Sequence, residues 1–113
     1  MTRPILYLTA PYQTATEGEK ALRLEAVRVA VARGWCPVFS PFLLERAYPE
    51  ETPEVRVLAL DCCLALLAVA TALLVVGERR TEGMNVELSW WEEHGDAPML
   101  WPDLPRAEEW ANT

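Results

Sequence analysis

Two kinds of run divide this chain: short unbroken apolar blocks, and longer stretches whose apolar residues recur at helical spacing. Ile5-Leu6-Tyr7-Leu8 is an apolar block near the start, the pattern of a central parallel strand buried on both faces. Thr9 to Gln13 reads as a loop. Thr16 with Glu19 three residues on is a capping-box pattern, so a helix is predicted from Glu17. On it Leu24, Val27 and Val31 fall on one face, and Gly34 suits the left-handed residue just past the end. Trp35 to Phe39 reads as a second strand, placed at an edge because Pro37 has no N–H to donate.

Ser40 to Thr52 has mixed polarity and prolines at 41 and 49, which predicts a long functional loop with one helical turn around Leu43 to Ala47. Thr52-Pro53-Glu54 is an N-cap, a proline at the first helical position and an acid in the first turn. The helix it opens is predicted to run to about Val69, with a strand from Ala72 to Val76 directly after it. Val57 to Val76 is almost wholly apolar over about the length of a bilayer span. Asp61 inside it is costly in lipid, and the pattern changes after Ala70 from Ala/Leu-rich to Leu-Leu-Val-Val, so it reads as a buried helix followed by a buried strand. A third helix is predicted from about Glu82 to His94, stopping at Gly95, then a last strand Pro98 to Trp101 and a terminal helix between Pro105 and Ala111. Strands alternating with helices predict a single α/β domain: a three-layer, doubly wound, Rossmann- or flavodoxin-like parallel sheet of about four to five strands.

Composition narrows the class of function. The 113 residues are 51% hydrophobic with a formal net charge of −7, a globular chain without the clustered Lys and Arg that a nucleic-acid surface needs. Cys36, Cys62 and Cys63 are odd in number and include an adjacent pair, which fits a reducing cytosol better than a disulfide framework. A lone histidine, His94, and the lack of a Cys-x-x-Cys pair argue against a zinc site. The N-terminus lacks the apolar core of a signal peptide.

The chemistry concentrates at one junction. Val75-Val76-Gly77 closes a strand, Glu78 to Thr81 forms a polar loop, and the helix that follows carries Glu87 between Met84 and Leu88, on the side expected to face the sheet. In a parallel sheet this is the carboxyl end of a strand, where ligands bind. Asp61 is the second candidate, because a carboxylate in an apolar helix needs a partner or a function; pairing with Arg56, or with a backbone amide at a subunit contact, is the structural alternative. Ser40 and Ser89 lack a neighbouring histidine, and Cys62 and Cys63 read as small apolar packers. His94 closes a helix, where its charge suits the dipole. Of the adjacent Trp90 and Trp91, one is expected to pack inward and the other to lie exposed or in a subunit contact. No Gly-x-Gly-x-x-Gly or P-loop pattern is present.

With these pieces placed, the chain resembles the nucleoside 2-deoxyribosyltransferase superfamily, and within it the small branch of phage and bacterial deoxyribosyltransferase-like domains. Ile5 to Tyr12 resembles the family's opening strand and nucleoside-binding turn, and Gly34 to Pro41 the segment leading into the second strand. Thr81-Glu82-Gly83-Met84-Asn85-Val86-Glu87-Leu88 is similar to the family's Ser/Thr-x-Gly-x-x-x-Glu-Leu element. The resemblance implies an enzyme that cleaves the N-glycosidic bond of a nucleoside or nucleoside monophosphate, by transfer or hydrolysis, with Glu87 as nucleophile and Asp61 as a second catalytic acid. It implies a substrate pocket of Tyr7, Ala10, Pro11, Tyr12, Thr81, Gly83, Met84 and Asn85, in which Tyr7 and Tyr12 wall the pocket and the start of the third helix holds the 5′ end. It further implies no metal or cofactor, no nucleic-acid or membrane partner, and a homodimer or larger assembly burying the Asp61 helix face. The family's other acids, counted back from Glu87, fall at Cys63 and Thr71. Asp61 is two residues from the first of these, about 200 degrees around a helix of 3.6 residues per turn. Either a small insertion brings Asp61 into the site, or that acid is missing.

Overall fold

The computed structural model describes residues 2–40, 50, 52–94 and 97–111. The expected helical turn around Leu43 to Ala47 and the stop at Gly95 lie outside these residues. Four strands, β1 (Ile5–Thr9), β2 (Cys36–Val38), β3 (Ala72–Val75) and β4 (Met99–Leu100), alternate with helices α1 (Glu17–Ala32), α2 (Pro53–Val69), α3 (Glu82–His94) and α4 (Ala107–Ala111). They form one parallel sheet in the order β2-β1-β3-β4. The fold is therefore the α/β doubly wound class that the alternation of runs predicts, with β1 inside the sheet and the proline-bearing β2 at its edge.

Strand parity divides the interior into two layers. Leu6 and Leu8 of β1, with Ala72 and Leu74 of β3, turn to one face and pack with Ala26 and Ala30 of α1 and with Ala107 of α4. Tyr7 of β1 and Leu73 of β3 turn to the other, against Leu67 of α2 and Trp91 of α3. Because side chains alternate strictly along a strand, Thr9 belongs with Tyr7 on the α2/α3 face. That parity supplies the site described below.

Local signals behave as expected at the helix starts. Thr16 and Glu19 form the reciprocal capping box, and the Thr52 side chain accepts from the Val55 amide at 3.2 Å. Gly34 takes φ +90 just after α1, and Gly77 takes φ +93 at the end of β3. Two burial expectations need correction. The inward face of α1 is carried by Ala26 and Ala30, while Leu24 and Val31 are 51% and 46% exposed. Alanines on that face let the helix lie close to the sheet, and the larger residues are displaced to its flanks. α2 is not a buried helix either: Leu67 is its buried residue, and Val57 and Val69 are 60% and 63% exposed. Among the described residues no helix is long and apolar enough to cross a membrane.

Candidate functional site

The site grows from the carboxyl ends of β1 and β2 and from the faces of α2 and α3 that cover them. Tyr7 and Thr9 are both 0% exposed and stand two residues apart on β1, aimed at the same layer. Glu87 lies on α3 in the turn before Trp91, which packs on Tyr7. The Thr9 hydroxyl donates to Glu87 Oε1 at 3.1 Å. Ser40, buried just past the end of β2, shares a hydrogen bond of 2.6 Å with the Tyr7 hydroxyl and one of 2.7 Å with Cys63 Sγ. A thiol, a hydroxyl, a phenol and a carboxylate thus follow one another beneath the strand ends.

Burial dominates the electrostatics. It pushes the Glu87 carboxyl up from 4.5 to about 7, against the hydrogen bonds from Tyr7 and Thr9, which favour the ionised form. Burial, and then the charge of Glu87, drives the Tyr7 phenol well above its ordinary range, so it stays protonated and able to donate. The Cys63 thiol is raised too, by burial first and by Glu87 and Cys62 in smaller part, with Ser40 and Tyr7 opposing. A carboxylate poised near neutrality beside permanent hydroxyl donors is suited to attack on an electrophilic carbon or to proton transfer. Among the described residues no group of three or more His, Cys, Asp or Glu side chains is placed to hold a metal.

The loops around this cluster are tied together. Arg79, in the β3–α3 loop, grips both Glu19 oxygens at 2.9 Å and reaches Thr14 in the β1–α1 loop. Arg80 closes on the Gly77 carbonyl at 2.7 Å. Arg23 donates to the Pro11 carbonyl at 3.2 Å and lies 4.5 Å from the Phe39 ring centroid, while Tyr12 meets Phe39 edge-on. Gly83 has open space where a side chain would stand.

Each expected site residue now has a place. Glu87 faces the sheet as predicted. Tyr7 sits beneath the site instead of walling it: its ring is enclosed between sheet and helices, and its hydroxyl is what reaches the cluster. The expectation that its ring walls the pocket is corrected by that burial on an interior strand. Tyr12, half-buried on Phe39, keeps a rim position. Ala10 and Pro11 are buried, Thr81 and Gly83 half-buried, and Asn85 exposed. Met84 is buried, and its amide is taken by the Thr81 hydroxyl at 3.3 Å, so that donor is occupied by the helix cap.

Asp61 is corrected as a partner of Glu87. Its side chain is exposed, whereas Cys63, two residues on, joins the cluster. The rotation of an α-helix explains it, since two residues turn the side chain to nearly the opposite side. Arg56 pairs elsewhere, lying 3.5 Å from Glu82. Thr71, the other position counted back from Glu87, is half-buried and donates its amide to the Ile5 carbonyl. Trp91 packs inward as expected, whereas Trp90 is half-buried: it packs against the same cluster and stacks on His94 at 4.4 Å.

Thr9, Ser40 and Cys63 are the site residues that sequence reasoning missed. Thr9 carried a usable signal in sharing strand parity with Tyr7. Ser40 carried a weaker one, a hydroxyl just beyond a strand end, where parallel sheets build their sites.

Fold and site together define an α/β domain with a half-buried carboxylate at the carboxyl edge of a parallel sheet. Residues 4–98 match the family described as a domain of unknown function, DUF7768, and the chain belongs to that family. No curated protein matches it.

Proposed function

We propose that the domain is a deoxyribosyltransferase-like enzyme that breaks the N-glycosidic bond of a nucleoside or nucleoside monophosphate, with Glu87 as nucleophile. The observation that carries this reading is the Glu87 carboxylate itself, half-buried at the strand ends and held by the Thr9 hydroxyl at 3.1 Å. Cleavage of such a bond passes through an oxocarbenium-like state, which a positioned carboxylate stabilises and captures as a glycosyl ester. Transfer to a second base, or to water, then frees the sugar. The Thr9 and Tyr7 donors hold one orientation of the carboxylate, and the open space at Gly83 leaves room for a sugar beside the start of α3.

The resemblance in the Thr81 to Leu88 element supports the same reading. So does the position of Cys63: counting back from Glu87 reaches the residue of α2 that faces the cluster. The test is incubation with a panel of deoxynucleosides and deoxynucleotides while following free base. Release by wild type that disappears in Glu87→Ala is expected; release that survives the substitution would sink the proposal.

A second reading, a nucleotide-binding module without turnover, is favoured by one observation: the exposed Asp61 leaves the cluster without the acid expected from α2. Saturable nucleotide binding with no base release is its signature. On either reading the ligand is a small molecule, the compartment is the cytoplasm, and the exposed apolar residues of α2 serve a homo-oligomer. Light scattering that finds a monomer would remove the last of these.

A further inference from the structure

We propose that the Glu87 site takes N-glycosides whose leaving base already carries a positive charge, of the N-alkylpyridinium or N-alkylpurinium class. The bond-breaking step rests on the glycosidase reading above, whereas the preference for a cation rests on the electrostatics of the site alone.

Two observations converge on it. Among the described residues, the Glu87 carboxylate is held by neutral dipoles only: Thr9 Oγ1 at 3.1 Å, and the Tyr7 hydroxyl. Among those residues a half-buried anion compensated by hydroxyls meets no opposite charge, and in a site of lowered dielectric an entering cation gains far more than it would in water. Desolvation by burial raises the proton affinity of Glu87, and a cation that enters beside it offsets the same penalty that the proton offsets.

The second observation concerns the proton donors. A neutral purine or pyrimidine leaves with its bonding pair and must be protonated, a task for an acid poised near the working pH. The described donors linked to Glu87 are the Thr9 hydroxyl at 3.1 Å, an alcohol that does not give up its proton near neutral pH, and the Tyr7 phenol, Ser40 hydroxyl and Cys63 thiol, joined at 2.6 and 2.7 Å. Burial raises both Tyr7 and Cys63, so these groups hold their protons instead of passing them on. A base that starts as a cation needs no such help.

The step balances without an acid. A Glu87 oxygen bonds to C1′, the C1′–N bond breaks, and its electron pair cancels the charge on the base nitrogen, so the base departs neutral. Water then attacks C1′, the bond to Glu87 breaks with its pair returning to the carboxylate, and the proton of the water passes to that carboxylate and on to solvent. Nothing is oxidised or reduced.

The test has a binding arm and a turnover arm. At pH 8, wild type and Glu87→Gln are titrated calorimetrically with 1-methylnicotinamide, a permanent cation, and with neutral nicotinamide, after circular dichroism has shown that both proteins are folded. Wild type is expected to bind the cation about ten-fold tighter or better, and Glu87→Gln to abolish the difference. Equal affinities in wild type, or a preference that survives in Glu87→Gln, overturn the proposal. Base release is then compared for nicotinamide 2′-deoxyriboside and 2′-deoxyuridine, each relative to its rate with Glu87→Gln. An enhancement about a hundred-fold larger for the cationic substrate supports the proposal. Comparable enhancements overturn the cation preference and leave the glycosidase reading standing. Cation-selective binding with no release from either substrate keeps the cation site and overturns the glycosidase reading.

Discussion

Glu19 and Glu87 both stand near the start of a helix at the carboxyl edge of the sheet, and their surroundings treat them oppositely. Glu19 lies at the rim with Arg79 on both its oxygens and the Thr16 amide on one, and these bonds hold its carboxyl down at about 2. Glu87 lies a layer deeper with, among the described residues, hydroxyl partners only, and burial lifts it to about 7. The rim carboxylate fastens two loops, and its arginine is spent on it. The deep one is left short of a partner, which is costly for stability and useful for chemistry.

Substitutions at the deep carboxylate are expected to have the largest effects. Glu87→Ala should reduce base release by about a thousand-fold or more, measured in single turnover, since it removes the group that forms the covalent bond. Glu87→Gln should do the same to activity while raising stability above neutral pH. The sign follows from linkage: a carboxyl raised from 4.5 to about 7 on folding contributes stability that is full below 4.5 and lost as pH rises through 7. Denaturant unfolding at pH 8 should find Glu87→Gln more stable than wild type by up to about 3 kcal/mol, and the difference should vanish near pH 4. An unchanged difference across that window would mean that Glu87 is hydrated in solution.

The hydroxyl shell comes next. Tyr7→Phe removes the phenol shared with Ser40 and should cost about 1–3 kcal/mol in unfolding free energy. It should also move the acid limb of the pH–rate profile upward, because Tyr7 favours ionised Glu87. Thr9→Val, nearly equal in volume, should cost about 1 kcal/mol and shift the same limb in the same direction. The smallest effect belongs to the rim: Arg79→Ala should return the Glu19 carboxyl toward its ordinary range by NMR titration, with a slight loss of thermal stability that fades as salt is added. If Arg79→Ala instead costs more than Tyr7→Phe, the contrast between a working interior and a fastening rim is wrong.

How far this was readable from sequence depends on whether a feature is local or requires the sheet. Capping at Thr16 and Thr52, the turn at Gly34 and the proline of β2 are decided within a few residues, and each stands where the chain announces it. The buried faces of α1 and α2 were not announced. They depend on how close a helix lies to the sheet, which favours Ala26 and Ala30 over Leu24, and on which part of α2 covers it, which begins at Cys63. Glu87 was legible because a strand, a loop and a helix meet beside it. Its contact with Thr9 spans 78 positions and the Tyr7–Ser40 bond spans 33, so neither leaves a trace in local pattern. Asp61 was overvalued for the same reason: an acid among apolar neighbours stands out in sequence whether the helix turns it inward or, as here, outward.

The sheet order has a consequence for how this chain comes into being. β1, the first strand made, takes β2 on one side and β3 on the other, and its pairing with β3 runs from Leu6–Ala72 to Thr9–Val75. A nascent chain therefore carries this interior strand with one edge uncovered until residues 72–75 have left the ribosome. During that interval Ile5 to Thr9 is an open template for any extended segment nearby, and the late arrival of Leu73 and Leu74 covers that edge and ends the exposure.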